Sequence, residues 1–303
     1  MNAAQKHVAV LMGGWSSERE VSLVSGRACA AALREAGFRV TEIDVGRDIA
    51  VVLAALKPEV VFNALHGRFG EDGRIQGLLD IMGIPYTHSG AAASAIAMDK
   101  VQTKHVCASV GVPMAKGKVV RREHAFDAMP APFVVKPIAE GSSVGVRIVK
   151  NGDNFAPDSE WHYGDDVLVE EYVPGRELTV GVMGDRALDV TEIKPKEAFF
   201  DYTAKYTEGR AVHMVPAPVP ASIYEEALKV ALLAHQTVGC RGVTRSDFRY
   251  DDTRSDPGRL VFLEINTQPG MTPLSLVPEQ AAHHGISFKE LVTWMVEEAR
   301  CDS

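Results

Sequence analysis

The sequence predicts a mixed α/β protein: an N-terminal parallel-sheet α/β domain followed by an α+β part built in two pieces. Three observations carry this. Over the first ~90 residues short apolar runs alternate with segments of helical period, the pattern of a parallel sheet covered by helices. Beyond residue ~98 short β-branched runs follow one another with only turn residues between them, as in antiparallel sheets. The length of 303 residues is about twice the usual single-domain size, which calls for two or three subdomains.

Taken in order, residues 8–12 form an apolar run that ends in Gly13-Gly14. Val21, Val24, Ala28 and Ala31 then recur at helical spacing until Gly37. The unit repeats as strand 40–45, helix 49–56, strand 60–65, helix 75–82 and a last short strand at 84–86. Helix 101–110 precedes a hairpin of 133–137 and 146–149, whose tip is the Gly/Ser-rich loop 140–145. Strands follow at 167–172, 177–183 and 187–193. Helix 223–238 is closed by Gly239, strands 242–250 and 259–265 flank a polar turn at 251–258, and a helix covers 288–300.

Composition narrows the function classes. The net charge of −8 supplies no positive field for a phosphate backbone, which argues against nucleic acid. Cys29, Cys107, Cys240 and Cys301 are widely spaced and form no zinc pattern, so reduced thiols are expected. No apolar stretch approaches a signal-peptide core or a membrane span, and a cytoplasmic protein with no membrane partner is expected.

The most informative chemistry lies in Arg245-x-Asp247 and Glu264-x-Asn266 on consecutive strands. A spacing of two puts each pair on one strand face, and such oxygen donors in an apolar strand suit Mg²⁺ held together with substrate phosphates. The alternative is a solvated face with a structural ion pair. Gly141-Ser142-Ser143-Val144-Gly145 fits the Gly-x-Ser-x-Gly nucleophile elbow of hydrolases, but that elbow needs a helix after it. Val146-Arg147-Ile148-Val149 reads as strand, so the loop is better taken as a hairpin tip whose amides cover phosphates. Lys136 on the adjoining strand supports that reading. Glu170 and Glu177, either side of Val173-Pro174-Gly175, are candidates for base and ribose contact. Walker and dinucleotide fingerprints are missing.

Six ordered motifs then resemble one family. They are Gly13-Gly14-x-Ser16-x-Glu18-Arg19-Glu20-Val21-Ser22, Ala64-Leu65-His66-Gly67, Met98-Asp99-Lys100, Glu140-Gly141-Ser142-Ser143-Val144-Gly145, Asp201-Tyr202-x-Ala204-Lys205-Tyr206 and Glu264-x-Asn266-Thr267-x-Pro269-Gly270-Met271-Thr272. Together, over about residues 8–297, they resemble D-alanine–D-alanine ligases of the ATP-grasp superfamily. The resemblance implies domains at 1–98, 99–178 and 179–303, the last two forming a two-part ATP-grasp fold. It implies that ATP phosphorylates one D-alanine and that a second D-alanine attacks the acylphosphate, giving the dipeptide used for peptidoglycan.

By the same resemblance, Lys100, Lys136, Glu140, Gly141, Ser143, Glu170, Glu171, Val173 and Glu177 take ATP. Asp247, Glu264 and Asn266 would carry two Mg²⁺ ions, with Mn²⁺ able to substitute. Glu18, Ser142, Tyr206, Arg245 and Gly270 are the implied catalytic set, with Arg245 and the Gly270 amide facing the oxyanion. His66, Lys205, Ser275 and Leu276 are implied around the two D-alanine molecules. A homodimer is the family expectation. The departures are local, as at Thr244-Arg245-Ser246-Asp247 and Pro273-Leu274. Tyr206 favours an amine nucleophile over a hydroxy acid, so a D-alanine–D-lactate ligase is the nearest competitor. A hydrolase acting through Ser143 and a silent nucleotide-binding regulator stand further off.

Overall fold

A computed structural model describes residues 6–141, 144–153, 161–195, 211–253, 256–272 and 275–302. Three sheets organise them. Strands β1 (His7–Met12), β2 (Arg39–Asp44) and β3 (Val60–Asn63) make a parallel sheet in the order β2-β1-β3. Its central strand β1 is buried throughout, as expected of a parallel strand covered on both faces.

Helix α1 (Arg19–Glu35) covers one face of this sheet, with Cys29, Ala30 and Leu33 packed on Val8, Val10 and Phe62. Helices α2 (Ile49–Leu56) and α3 (Arg74–Met82) cover the other with Ile49, Leu53, Ile75 and Leu79. The run at 84–86 contributes only Tyr86, which bridges Val61 in parallel and Arg300 antiparallel. The turns that follow β1 and β3 meet at one end of the sheet.

Helices α4 (Ala91–Met98) and α5 (Lys100–Ala108) lead into a four-stranded antiparallel sheet of β4 (Gly117–Arg121), β5 (Phe133–Pro137), β6 (Arg147–Val149) and β7 (Asp166–Glu171), ordered β4-β7-β5-β6. The Asp99 carboxylate accepts from the amides of Val101 and Gln102 and starts α5. A five-stranded antiparallel sheet comes next, with β8 (Arg176–Met183), β9 (Arg186–Pro195), β10 (Ala211–Met214), β11 (Val243–Asp251) and β12 (Arg259–Asn266) in the order β10-β9-β8-β11-β12. Helix α6 (Ala221–Val238) lies on it, together with Ala93 and Ala97 of α4.

Helices α7 (Leu276–His283) and α8 (Phe288–Glu297) complete the described chain. Helix α8 returns to the first sheet, where Leu291, Val292, Met295 and Val296 share a core with β1, β3 and α1. Four elements escape the sequence pattern for identifiable reasons. β4 is an exposed edge without apolar alternation, β10 is four residues long, α4 is almost uniformly apolar, and α7 carries Pro278 in its first turn. Among the described residues no helix is long and apolar enough to cross a membrane.

Candidate active site

The centre of the site is a face shared by β11 and β12. Arg245 stands opposite Asn266 and Asp247 opposite Glu264, so the four polar side chains gather on one surface. Simple alternation along β12 would instead put Glu264 on the apolar face with Leu260 and Phe262. The register passes from Asp247–Glu264 directly to Phe248–Phe262, which makes Leu263 the extra residue of a β-bulge. The bulge returns Phe262 and Ile265 to the hydrophobic core and turns Glu264 and Asn266 outward.

Asp247 is buried and firmly held. Arg245 donates to it through Nε at 2.9 Å and Nη2 at 2.8 Å, and the Thr179 hydroxyl donates at 2.7 Å. The Asn266 amide oxygen accepts from the Gln268 N–H at 2.7 Å. Across the gap Lys100 Nζ lies 3.4 Å from Glu264 Oε2 and donates at 2.5 Å to the Glu140 carbonyl, which ties the hairpin loop to this face. Burial pushes the Glu140 carboxyl up, against the opposing charges of Arg68 and Lys100.

A second group lies beneath that loop. Lys136 on β5 and Lys104 on α5 both contact the Glu170 carboxylate, one at each oxygen. Burial alone would raise the Glu170 carboxyl, but the two ammonium groups outweigh it and hold it below the usual range. Both Glu170 oxygens are therefore held by lysines in this structure. Glu171 points the other way on β7: burial would raise its carboxyl, but the Lys116 amide and Arg259 hold it below the usual range.

Val173 packs with Ala115 and Val261. Arg249 donates to the Val173 and Gly175 carbonyls at 3.2 and 2.7 Å and reaches within 3.9 Å of Glu177, which fixes the turn before β8.

The first sheet supplies the remaining wall. Glu18 is buried at the N-terminus of α1, where the helix dipole favours a carboxylate. Gly67 has φ +71°, and a Cβ there would lie 2.6 Å from Glu18 Oε2, so only glycine seats that carboxylate. A Cβ on Gly141 would lie 3.5 Å from the same oxygen, which brings the hairpin loop beside Glu18.

His66, also buried, contacts Glu71 through Nδ1 at 3.2 Å and the Ser25 hydroxyl through Nε2 at 3.0 Å. That hydroxyl accepts from the Met271 amide at 3.4 Å. Ser275 caps the turn before α7 by accepting from the Thr272 amide at 2.9 Å, close to Gly270 and next to Leu276. A cavity of about 150 Å³ lined by Trp15, Ser16, His66 and Phe69 opens on this side.

Thus Glu18 lies beside Gly141, Lys100 joins Glu140 to Glu264, His66 reaches Met271 through Ser25, and Ser275 lies beside Gly270, while Lys136, Glu170, Val173 and Glu177 belong to the adjoining strands and turn. Ser142, Ser143, Lys205 and Tyr206 lie outside the described residues. The segment after the 140–145 loop is strand β6, antiparallel to β5, which is the wrong geometry for a nucleophile elbow. Lys104, Arg68, Ser25, Arg249 and Gln268 enter the site unannounced. Of these, Lys104 had a visible signal: it is four residues after Lys100, on the same face of one helix.

Known proteins share this architecture. Residues 107–297 match the family model described as D-ala D-ala ligase C-terminus, and residues 50–89 the one described as D-ala D-ala ligase N-terminus. A D-alanine--D-alanine ligase of Parvibaculum lavamentivorans is 58% identical over 303 residues, 98% of either chain. D-alanine--D-alanine ligase B of Mesorhizobium japonicum is 59% identical over the same span, again 98% of either chain. The crystal structure of a Bacillus anthracis D-alanine--D-alanine ligase complexed with ATP superimposes with a TM-score of 0.80 at 29% identity, covering 97% of this chain and 96% of that one.

Proposed function

The chain belongs to the D-alanine–D-alanine ligase family, and from that premise we propose that its site joins two D-alanine molecules at the expense of ATP, as a step in making peptidoglycan precursors. The observation that carries this reading is the register of β11 on β12, which sets Arg245, Asp247, Glu264 and Asn266 on one face opposite Lys100.

Two steps follow. A carboxylate oxygen of the first D-alanine attacks the γ-phosphorus of ATP, the bond to ADP breaks, and an acylphosphate forms. The unprotonated amine of the second D-alanine then attacks the acyl carbon, the C–O bond to phosphate breaks, and the nitrogen loses a proton as the amide forms. Negative charge moves through the transferring phosphoryl group and then onto the carbonyl oxygen, where fixed cations and N–H donors stabilise it most. Lys100 and Lys136 serve the phosphates together with the amides of the 140–145 loop. Arg245 and the Gly270 amide serve the oxyanion.

The acidic donors fit a hard cation: two carboxylates face each other in register, with an amide oxygen beside them and every donor an oxygen. Asp247, Glu264 and Asn266 would hold Mg²⁺ or Mn²⁺. Such ions neutralise phosphate charge during transfer. Glu18 takes the ammonium of the first D-alanine with His66 beside it, and Ser275 and the Leu276 amide take the carboxylate of the second. Lys205, Ser142 and Tyr206 are assigned to closure over the intermediate, which must be kept from water. Glu177, at the turn fixed by Arg249, takes the ribose side of ATP. We further assign segments 1–98, 99–178 and 179–303 as the three functional units, a homodimer as the working form and the cytoplasm as its place.

ADP and phosphate release coupled to D-Ala-D-Ala formation tests the assignment. Product is expected only when ATP, a divalent cation and D-alanine are all present, and equal turnover with L-alanine overturns it. Preferred use of D-lactate as second substrate would move the chain to the ester-forming class.

A further inference from the structure

We propose that Asp189, His283 and His284 form a binding site for one transition-metal dication of the zinc class, separate from the oxygen-lined face of β11 and β12. One ring nitrogen each of His283 and His284 and an Asp189 carboxylate oxygen lie mutually within 4.8 Å. Asp189 Oδ2 is 2.6 Å from His283 Nδ1 and 3.5 Å from His284 Nε2. Two imidazole nitrogens and one carboxylate oxygen are a common three-ligand set for Zn²⁺, with water in the fourth position. A hard ion such as Mg²⁺ prefers all-oxygen sites and competes poorly here.

The surroundings also suit a metal. Asp189 is only 2% exposed, whereas both histidines are nearly half exposed, so the carboxylate is anchored inside and the imidazole donors open to solvent. Its other oxygen, Oδ1, accepts from the Tyr224 hydroxyl and from the Val190 amide at 2.8 Å. Those two bonds orient the carboxylate and leave Oδ2 aimed at the histidines, the outer-shell support that metal-binding carboxylates receive. The two rings stand at 90° with centroids 5.9 Å apart, so they approach Oδ2 from different directions.

Bonds of 2.0–2.1 Å in a tetrahedron need ligand atoms about 3.3 Å apart. Against Oδ2, His284 at 3.5 Å already meets that spacing, and His283 at 2.6 Å must withdraw by about 0.7 Å and carry its ring proton on Nε2. The position gives the site a consequence. Asp189 lies on β9, while His283 ends α7, whose first residue follows Ser275. An ion there pins the far end of α7 to the sheet, about 12 Å along the helix axis from the turn that receives the second substrate.

The test is Zn²⁺ titration of the full chain against a chromogenic chelator with Mg²⁺ in excess, repeated for the double variant His283→Gln/His284→Gln and for Tyr224→Phe. The wild type should take up one Zn²⁺ more than the double variant, and Co²⁺ should give a tetrahedral visible band in the wild type alone. Zn²⁺ at 100 times its Kd should raise the wild-type Tm by roughly 5 °C and leave the double variant unmoved. Tyr224→Phe should weaken binding about 10- to 100-fold, and either single histidine substitution should weaken it at least about tenfold, a loss worth about 1.4 kcal/mol of binding. Ligase turnover in Mg²⁺ alone should be the same in the double variant. Equal Zn²⁺ stoichiometry and affinity in wild type and double variant overturns the proposal, as does a cobalt spectrum that survives both substitutions.

Discussion

Gln268 and Asn63 form a reciprocal amide pair in the buried seam between the first sheet and the strand that carries Glu264. Gln268 Nε2 donates to the Asn63 carbonyl, and Asn63 Nδ2 donates to Gln268 Oε1 at 3.2 Å. The Gln268 backbone N–H meanwhile holds Asn266. Replacing Gln268 by Ala leaves buried amide groups of Asn63 without their partner, which costs about 1–3 kcal/mol. Urea denaturation should show that loss, together with a fall in kcat, because the backbone N–H that holds Asn266 survives the substitution but is no longer anchored to Asn63 through its own side chain. An unchanged kcat would separate this seam from the face that carries Glu264 and Asn266.

Glu170→Gln should be more damaging than Lys104→Met. The first leaves Lys104 and Lys136 both without their buried counter-ion, a situation that typically costs about 3–5 kcal/mol, whereas the second leaves the Lys136 pair in place. Thermal melts should rank the two variants in that order. Both should also raise KM for ATP, measured by ADP release.

Glu264→Ala should keep the fold and lose turnover. The side chain is partly exposed and sits beyond the bulge, outside the hydrophobic core, so its removal opens no core cavity. A drop in kcat of at least about a hundredfold, with an unchanged circular dichroism spectrum and Tm, is expected for loss of a group that stabilises transferring charge. A near-normal rate would remove Glu264 from the site.

Gly67→Ala should act on the first substrate. The new methyl falls on Glu18 Oε2 in a backbone conformation that L residues rarely adopt. A rise of about tenfold or more in the KM for D-alanine, with the KM for ATP nearly unmoved, is expected. Equal effects on both constants would mean a general distortion.

His235 sets a pH dependence of stability. It is buried against the Thr244 hydroxyl at 2.8 Å, and burial lowers its pKa to about 4. The unfolded chain binds a proton near pH 6.5 that the folded chain refuses until about pH 4, so stability falls as pH drops through that window, by up to about 1.4 kcal/mol per unit. Glu170 and Glu171, whose carboxyls are lowered, lose their contribution at lower pH, through the carboxylate range. Urea midpoints between pH 7.5 and 5 should give a slope that His235→Gln reduces by one proton.

Much of this was legible in the sequence. The β1-turn-α1 unit, the parallel sheet, and the pairing of Arg245-x-Asp247 with Glu264-x-Asn266 follow from periodicity and spacing, which report directly on which face a side chain takes. The bulge at Leu263 was hidden, because one extra residue leaves no mark on a run of apolar letters. Gln268 was hidden for a different reason: it acts through a partner 205 residues away, and a spacing argument sees only neighbours. Glu170 stood out by its position, while the two ammonium groups that hold it come from α5 and β5, too far along the chain for spacing to reveal.

The return of α8 to the first sheet governs the order in which the molecule can be made. Leu291, Val292, Met295 and Val296 finish a core begun by Val8, Val10 and Phe62, so that core stays open on the nascent chain until some 280 residues more have left the ribosome. At ~5–20 residues per second this takes at least about 15 seconds, during which an apolar face is available to chaperones and to other chains. The β1–β3 sheet is thus synthesised before the other two and is among the last to be sealed.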